Sequence, residues 1–379
     1  MKADIVVIGG GIAGAAAAYF LSRSASVILV EREAAVGYHS SGRSAEQFTV
    51  GISATTMRRL AEASRAFFLS PPREFGSQRL VTPRGSLTVG RASQRAELER
   101  LYERVTGVGA AARYLDRDEA IAAFPALVAS GVDGGVLEPN AMDIDTGALL
   151  QGYVRGGKSR GAQLLIDAAV TSIEKRAGVW IVGTSRGTIS APLVLNAAGA
   201  WVDEVTELAG LEPIGLVPYR RTAFTFASPP GVDTSTWPHV CNVDYKWYVK
   251  PGYDSLMGSL AEAVPTKPGD VYPDDMDVAQ AIDNIEQDTS FRIDKPLSTW
   301  AGLRSFVRDR NPVAGTRPGA DGFFWMAGQG GCGILGSPAL GEAIAALMLG
   351  RDLPKEQRAL GIEVADLAVT RKTLSLTSV

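Results

Sequence analysis

Three glycines, Gly9, Gly11 and Gly14, stand where an apolar run meets an alanine-rich stretch, and that junction constrains the fold more than any other feature. The segment DIVVIGGGIAGAAAAYFLSRSASVILVER reads as a buried strand at 4–8, a glycine turn, a helix to about Ser22 and a second buried strand at 26–31, which together make one βαβ unit. In such a G-x-G-x-x-G turn Gly9 permits the tight bend, Gly11 lets the backbone approach a pyrophosphate, and Gly14 permits close helix packing, while the helix N-terminus faces the anion. Glu31 closes the second strand, where a carboxylate accepts hydrogen bonds from an adenosine ribose and repels an NADP 2′-phosphate. The turn by itself does not separate NAD from FAD.

The remaining composition narrows the partners. A chain of 379 residues, 46% hydrophobic and 21% charged, is long enough for two domains of about 100 to 200 residues each. A net charge of −3 leaves no basic footprint for nucleic acid or an anionic membrane. Cys241, Cys332, His39 and His239 have no zinc-site spacing, so reduced thiols and no structural metal are expected. The apolar stretch 5–20 lacks the basic start of a signal peptide and is shorter than the ~18 residues of a membrane span. Cytoplasmic location is the default expectation, with peripheral contact at the inner membrane face left open.

Further along, 92–107 has helical spacing, 79–90 and 216–227 read as short strands, and Asp145 to Arg160 reads as a helix before the strand-like AQLLI. VTSIEKR and VWIVGT form a hairpin pair, and APLVLNAAGAW is an apolar strand ending at Gly199. From 216 to 300 aromatic segments broken by Pro and Gly predict a sheet with long loops. The end returns to strand, glycine turn and apolar helix in FFWMAGQGGCGILGSPALGEAIAALMLG, which predicts a discontinuous nucleotide domain; the last ten residues are expected to fray.

Taken together, GGGIAG, EREAAVGYHSSGRSA, LVLNAAGAWVDE, TWAGLRSF and AGQGGCGILGSPALGE resemble the D-amino-acid oxidase family of FAD-dependent oxidoreductases from end to end, nearest its D-arginine dehydrogenase branch. The resemblance implies an α/β fold: a discontinuous Rossmann-type FAD-binding domain from 1–50, 142–212 and 300–370, an α+β substrate domain with an antiparallel or mixed sheet from 51–141 and 213–299, and a tail at 371–379. It implies non-covalent FAD, with Gly9, Gly11, Ile12, Ala13 and Gly14 at the pyrophosphate, Glu31 and Arg32 at the ribose and Val170 at the adenine. Ser40, Ser41, Arg43 and Ser44 match the family's loop around flavin and phosphates, and Gly199 and Trp201 match its middle. Gly302, Gly328, Gly330, Gly331, Gly333 and Ile334 match the segments over the isoalloxazine ring.

For substrate, the same resemblance implies that Arg221 and Arg304 clamp an amino-acid carboxylate with help from the Tyr248 hydroxyl, a geometry suited to bidentate guanidinium pairing. Arg220 adjoins Arg221, and only the resemblance chooses between them. The flavin accepts the hydride, so neither nucleophile nor metal is required; no dedicated base is evident, and solvent or a bound water takes the amine proton. His39 and Cys332 read as structural. Gln47, Ile52 and Ser86 replace the histidine, lid tyrosine and guanidinium-binding glutamate of the arginine branch, which predicts a D-amino acid with an uncharged or apolar side chain and D-arginine as a poor substrate. The expected product is the imine, hydrolysed to 2-oxo acid and ammonia. Leu256 stands where related oxidases carry a flavin-side lysine, which tilts the acceptor from O2 toward a quinone-like molecule. The alternatives are oxidation of a secondary amine, an N-methyl amino acid such as sarcosine, glycine or a 2-hydroxy acid, or a flavoprotein subunit without turnover.

Overall fold

The βαβ unit forms as its periodicity predicts. In the computed structural model, which describes residues 1–52, 54–252 and 254–374, strand β1 (Ile5–Ile8) runs into helix α1 (Ile12–Leu21) and returns as strand β2 (Val27–Val30), every residue of both strands being buried. Two-sided burial explains the continuous apolar runs, because a parallel sheet is covered on both faces. Six strands line up as Val313–Gly315, Phe323–Ala327, Leu193–Asn196, β1, β2 and Gln163–Leu165, all parallel except the first. The chain thus assembles this sheet from segments far apart in sequence, as expected of a discontinuous nucleotide domain.

The alanines of α1 let two other helices come close. Ser337–Met348 and Thr146–Ser159 both pack on it, and a Cβ at Gly341 would stand 3.0 Å from the Ala16 Cβ, while one at Gly156 would meet the Tyr19 ring at 2.5 Å. Helix Thr55–Leu69, which the sequence reading passed over, joins this core: Met57, Leu60, Ala61 and Phe68 are buried in it, and the Ser64 hydroxyl accepts the Ala339 N–H at 3.1 Å. Residues 55–69 therefore pack on the nucleotide side, although 51–141 was assigned to the substrate side; sequence position alone does not show which core an amphipathic helix covers.

The second large sheet is mixed and has nine strands. Its order is Val264–Pro265, Val217–Ala227, Ser255–Ser259, Tyr248–Pro251, His239–Asn242, Ser86–Gly90, Gly134–Glu138 and Arg113–Asp116, with Ser298–Phe306 also paired to Val217–Ala227. The boundary placed at residue 300 falls inside Ser298–Phe306, all nine residues of which pair with 217–225. The stretch 216–300 also holds helix Asp275–Asp288, where only sheet and loops were expected. The Asp274 carboxylate caps it by accepting from the N–H groups of Met276 and Asp277, and Val278, Ala281 and Ile285 form its buried stripe. Residues 170–184 make the expected hairpin, and 187–191 adds a third strand to it, giving a small three-stranded sheet. No helix among the described residues is long and apolar enough to cross a membrane. Of the terminal residues expected to fray, 375–379 lie outside the described residues.

Candidate active site

One cavity of about 690 Å³ runs from the glycine turn to the second sheet, a size typical of small-molecule sites. At its first end the glycines are sterically required. Gly9 has φ +107°, and a Cβ there would lie 2.5 Å from the Ala197 carbonyl oxygen; a Cβ on Gly14 would lie 1.9 Å from the Gly9 carbonyl oxygen. Gly11 is different, because its Cβ would meet only the Ser41 Oγ, at 3.4 Å, and would otherwise project where a ligand must approach. The Ser41 hydroxyl accepts the Ile12 N–H at 2.9 Å, satisfying one exposed donor at the start of α1 and pinning the 40–44 loop to the turn.

Glu31 is buried beside this turn with both carboxylate oxygens engaged by backbone: Oε2 accepts from Gly10 at 2.7 Å and Oε1 from Glu33 at 2.9 Å. Gly10 is as constrained as its neighbours, since a Cβ would fall 2.8 Å from Glu31 Oε2. Beyond Glu31 the wall continues through Arg32, Val170, Gly199 and Trp201, with the Arg32 guanidinium 4.9 Å above the Trp201 ring. His39, also a wall residue, packs its ring 4.5 Å from that of Trp201 and bonds Glu33 at 2.9 Å. Ser40, Ser44 and Arg43 also line the cavity, but the Arg43 guanidinium is committed elsewhere, to Asp270 at 2.6 Å and the Ala301 carbonyl at 3.1 Å. It braces the loop against strand Ser298–Phe306, and Gly302 makes room for it, a Cβ there standing 3.3 Å from the Arg43 Cβ.

At the far end, strand pairing settles the choice between the two adjacent arginines. Arg221 lies opposite Gly302 and Tyr219 opposite Arg304, so Arg221 and Arg304 share one face of the sheet. Both line the cavity, whereas Arg220 points the other way to Asp277 at 2.8 Å and Asp274 at 3.3 Å. Arg221 donates through Nε to the Glu262 carbonyl at 2.7 Å and keeps a buried Nη1 without a partner. Burial, reinforced by neighbouring Arg304, pushes its pKa down to about 10, which leaves it a cation at neutral pH. Arg304 presses against the glycine loop, where a Cβ on Gly331 would sit 2.9 Å from its guanidinium carbon, and Tyr245 lines the same wall.

Tyr248 lines the same end, its ring 5.4 Å from His239 and 6.0 Å from Tyr245. Tyr245 escaped the sequence reading for a physical reason: three positions from Tyr248, it would face away on a regular strand. A tight turn at φ +56°, closed by its N–H to the Asn242 carbonyl at 2.9 Å, brings it back to the cavity. Gln329 and His239 were also missed. With Gln47 and Arg221 they supply four buried side-chain nitrogens without partners, Gln47 Nε2, Gln329 Nε2, His239 Nδ1 and Arg221 Nη1, all on residues of the cavity wall. Orphaned buried polar groups are costly, so their convergence fits a polar ligand. Burial drops the His239 pKa to about 3, so that ring is neutral and a weak base.

Glycine shapes this end as well. Gly328 and Gly330 have φ +70° and +58°, and a Cβ on Gly330 would overlap the Phe306 ring at 2.1 Å; Gly333 and Ile334 complete the loop along the wall. Cys332 sits in it with its thiol pushed up to about 11 by burial. Gln47 and Ile52 reach the cavity, but Ser86 does not: it is buried between Glu138 and His239 in the sheet, and Thr88, two residues on, is the wall residue. The segment carrying Ile52 is held by Glu138, whose carboxylate accepts from the Thr49 hydroxyl at 2.6 Å and the N–H groups of Val50 at 2.9 Å and Gly51 at 3.1 Å. Glu138→Ala would orphan those donors and is expected to cost about 2 to 4 kcal/mol in urea unfolding; a loss under about 0.5 kcal/mol would contradict the role given to this carboxylate. No cluster of metal-ligating side chains occurs among the described residues.

Comparison with known proteins places this geometry. The family model described as FAD dependent oxidoreductase matches residues 4–347. The chain is similar to the glycine oxidase of Bacillus licheniformis, 26% identical over 93% of this chain and 95% of that one. It is also similar to mouse mitochondrial sarcosine dehydrogenase, 26% identical over 90% of this chain but 39% of that protein, and to human mitochondrial dimethylglycine dehydrogenase, 28% identical over 68% of this chain and 30% of that protein. The chain thus spans well under half the length of those two mitochondrial relatives. Among solved structures, that of glycine oxidase from Geobacillus kaustophilus superposes with a TM-score of 0.82 at 21% identity, covering 98% of this chain and 99% of that one.

Proposed function

The chain belongs to the family of FAD-dependent oxidoreductases, and from that premise we propose that it oxidises a small amino carboxylate whose nitrogen is primary or N-alkylated, of the glycine and sarcosine kind. The observation that carries the reading is the pair Arg221 and Arg304 on one sheet face, with buried donors left over at the cavity end where a carboxylate would dock. Two guanidinium groups and the nearby hydroxyls of Tyr245 and Tyr248 would fix the acid and so orient the carbon that bears nitrogen. Bound FAD supplies the hydride acceptor. Gly9, Gly11, Ile12, Ala13, Glu31, Arg32 and Val170 would hold its adenosine and pyrophosphate, Gly199 and Trp201 its middle, and the 328–334 loop with Gly302 its ring.

This reading shifts emphasis from the D-amino acid that the sequence alone favoured. The named substrates of the similar proteins, glycine, sarcosine and dimethylglycine, have no side chain on the α-carbon, so the handedness implied by the resemblance and the apolar pocket inferred from Gln47, Ile52 and Ser86 lose their main support. D-arginine stays a poor substrate in either reading, because Thr88, the wall residue of that strand, carries no charge to hold its guanidinium. With Leu256 where related oxidases carry a lysine, and no lysine among the described wall residues, a quinone-like acceptor is favoured over O2. Turnover of glycine, N-methylglycine and N-ethylglycine beside D-leucine and D-arginine tests the proposal. The best N-alkylglycine should exceed D-leucine in kcat/KM by about tenfold or more; the reverse order would restore the D-amino-acid reading.

A further inference from the structure

The cavity has a second basic feature that the carboxylate clamp does not use. Helix Arg95–Thr106 sends Leu101 and Arg104, one turn apart on the same face, into the wall beside Ile52, Ala54 and Met57. Leu101 fixes that face to the loop, because a Cβ on Gly51 would stand 3.1 Å from its Cδ1. Arg104 forms no ion pair with any described residue, and its Nε is buried without a hydrogen-bond partner. Charges of its own sign stand around it: the Arg58 guanidinium donates to the Arg104 carbonyl at 3.3 Å, and Arg100 lies one turn back. The buried carboxylate behind that loop, Glu138, is engaged by Thr49, Val50 and Gly51. Keeping a guanidinium half-buried among like charges is unfavourable unless an anion arrives to meet it.

We propose that Arg104 is the docking residue for a second anionic group on the substrate, so that the preferred amino carboxylate carries a further carboxylate at its end remote from the Arg221 and Arg304 clamp. The inference rests on the reading of the clamp given above and narrows the substrate class from small amino carboxylates to acid-tailed ones. The tail would lie along the apolar strip of Ile52, Ala54, Met57 and Leu101, which suits a short methylene linker, and would end at the guanidinium.

Binding of inert acids to the FAD-loaded enzyme, read from perturbation of the flavin absorbance, tests this without turnover. Linear dicarboxylates from malonate to adipate are titrated beside monocarboxylates of equal chain length. The best dicarboxylate should bind at least about tenfold tighter than its monocarboxylate partner, the range expected of one charge-assisted pair. Arg104→Met should bring that ratio close to one, Arg104→Lys should keep part of it, and Arg100→Met, which removes an exposed cation one turn away, should leave it intact. Absence of a dicarboxylate preference, its survival in Arg104→Met, or an equal loss in Arg100→Met would each overturn the assignment. Weak binding of every acid, dicarboxylate or not, would instead defeat the clamp reading on which the proposal stands.

Discussion

Replacing Arg304 with leucine is expected to lower kcat/KM for the amino carboxylate by roughly a thousandfold, about 4 kcal/mol, while FAD remains bound. The guanidinium is packed against Gly331 of the glycine loop, so its position is restricted before substrate arrives and little ordering entropy opposes pairing. Leucine fills similar space without donors, and a docked carboxylate would then be left unsatisfied beside Arg221 alone. Arg304→Lys should recover part of the loss, since a point charge replaces a planar fork. Arg220→Met provides the contrast: it breaks the pairs to Asp277 and Asp274 on the opposite face and should cost only about 1 kcal/mol of stability with kcat/KM nearly unchanged. Steady-state kinetics of the three variants decide the matter, and equal losses in Arg220→Met and Arg304→Leu would refute the facing assigned from strand register.

The glycine turn should divide cleanly under substitution. Gly14→Ala drives a methyl to 1.9 Å from the Gly9 carbonyl oxygen, a clash that only separation of α1 from β1 relieves, so the protein is expected to be insoluble or to lack flavin and melt far below the parent. Gly11→Ala meets nothing closer than the Ser41 Oγ at 3.4 Å and should fold with nearly the parent Tm, yet bind FAD at least about tenfold more weakly because the methyl occupies ligand space. Melting curves with and without added FAD separate the two cases. A Gly11→Ala protein that keeps full flavin occupancy would show that the pyrophosphate does not pass over this residue.

Why some of this could be read from the chain and some could not follows from locality. The run from Asp4 to Glu31 carries its own periodicity, turn chemistry and end residue, so strand, helix, strand and acidic side chain all emerge where expected. The arginine pair needed more: only the register between Val217–Ala227 and Ser298–Phe306 shows that Arg221 faces Arg304 and that Arg220 does not. Ser86 and Thr88 share one face of their strand, and which of them the cavity meets depends on where it crosses the pairing of Ser86–Gly90 with His239–Asn242, a contact between segments some 150 residues apart that no local pattern announces. Tyr245 depends on a left-handed backbone turn at a non-glycine residue, which sequence propensity argues against. Helix Asp275–Asp288 is the opposite case, since its Asp274 cap and its spaced Val278, Ala281 and Ile285 lay in plain view behind a Pro- and Gly-rich approach.

The central claim is that this cavity joins FAD to an amino carboxylate held by paired arginines. Its most direct test is the absorbance of the purified flavoprotein under anaerobic conditions as glycine, N-alkylglycines, D- and L-amino acids and 2-hydroxy acids are added in turn. The flavin band near ~450 nm should bleach with N-alkylglycines or glycine, and the same additions to Arg304→Leu should leave it unchanged. Bleaching by 2-hydroxy acids alone, or by none of the amines at any concentration, would contradict the account.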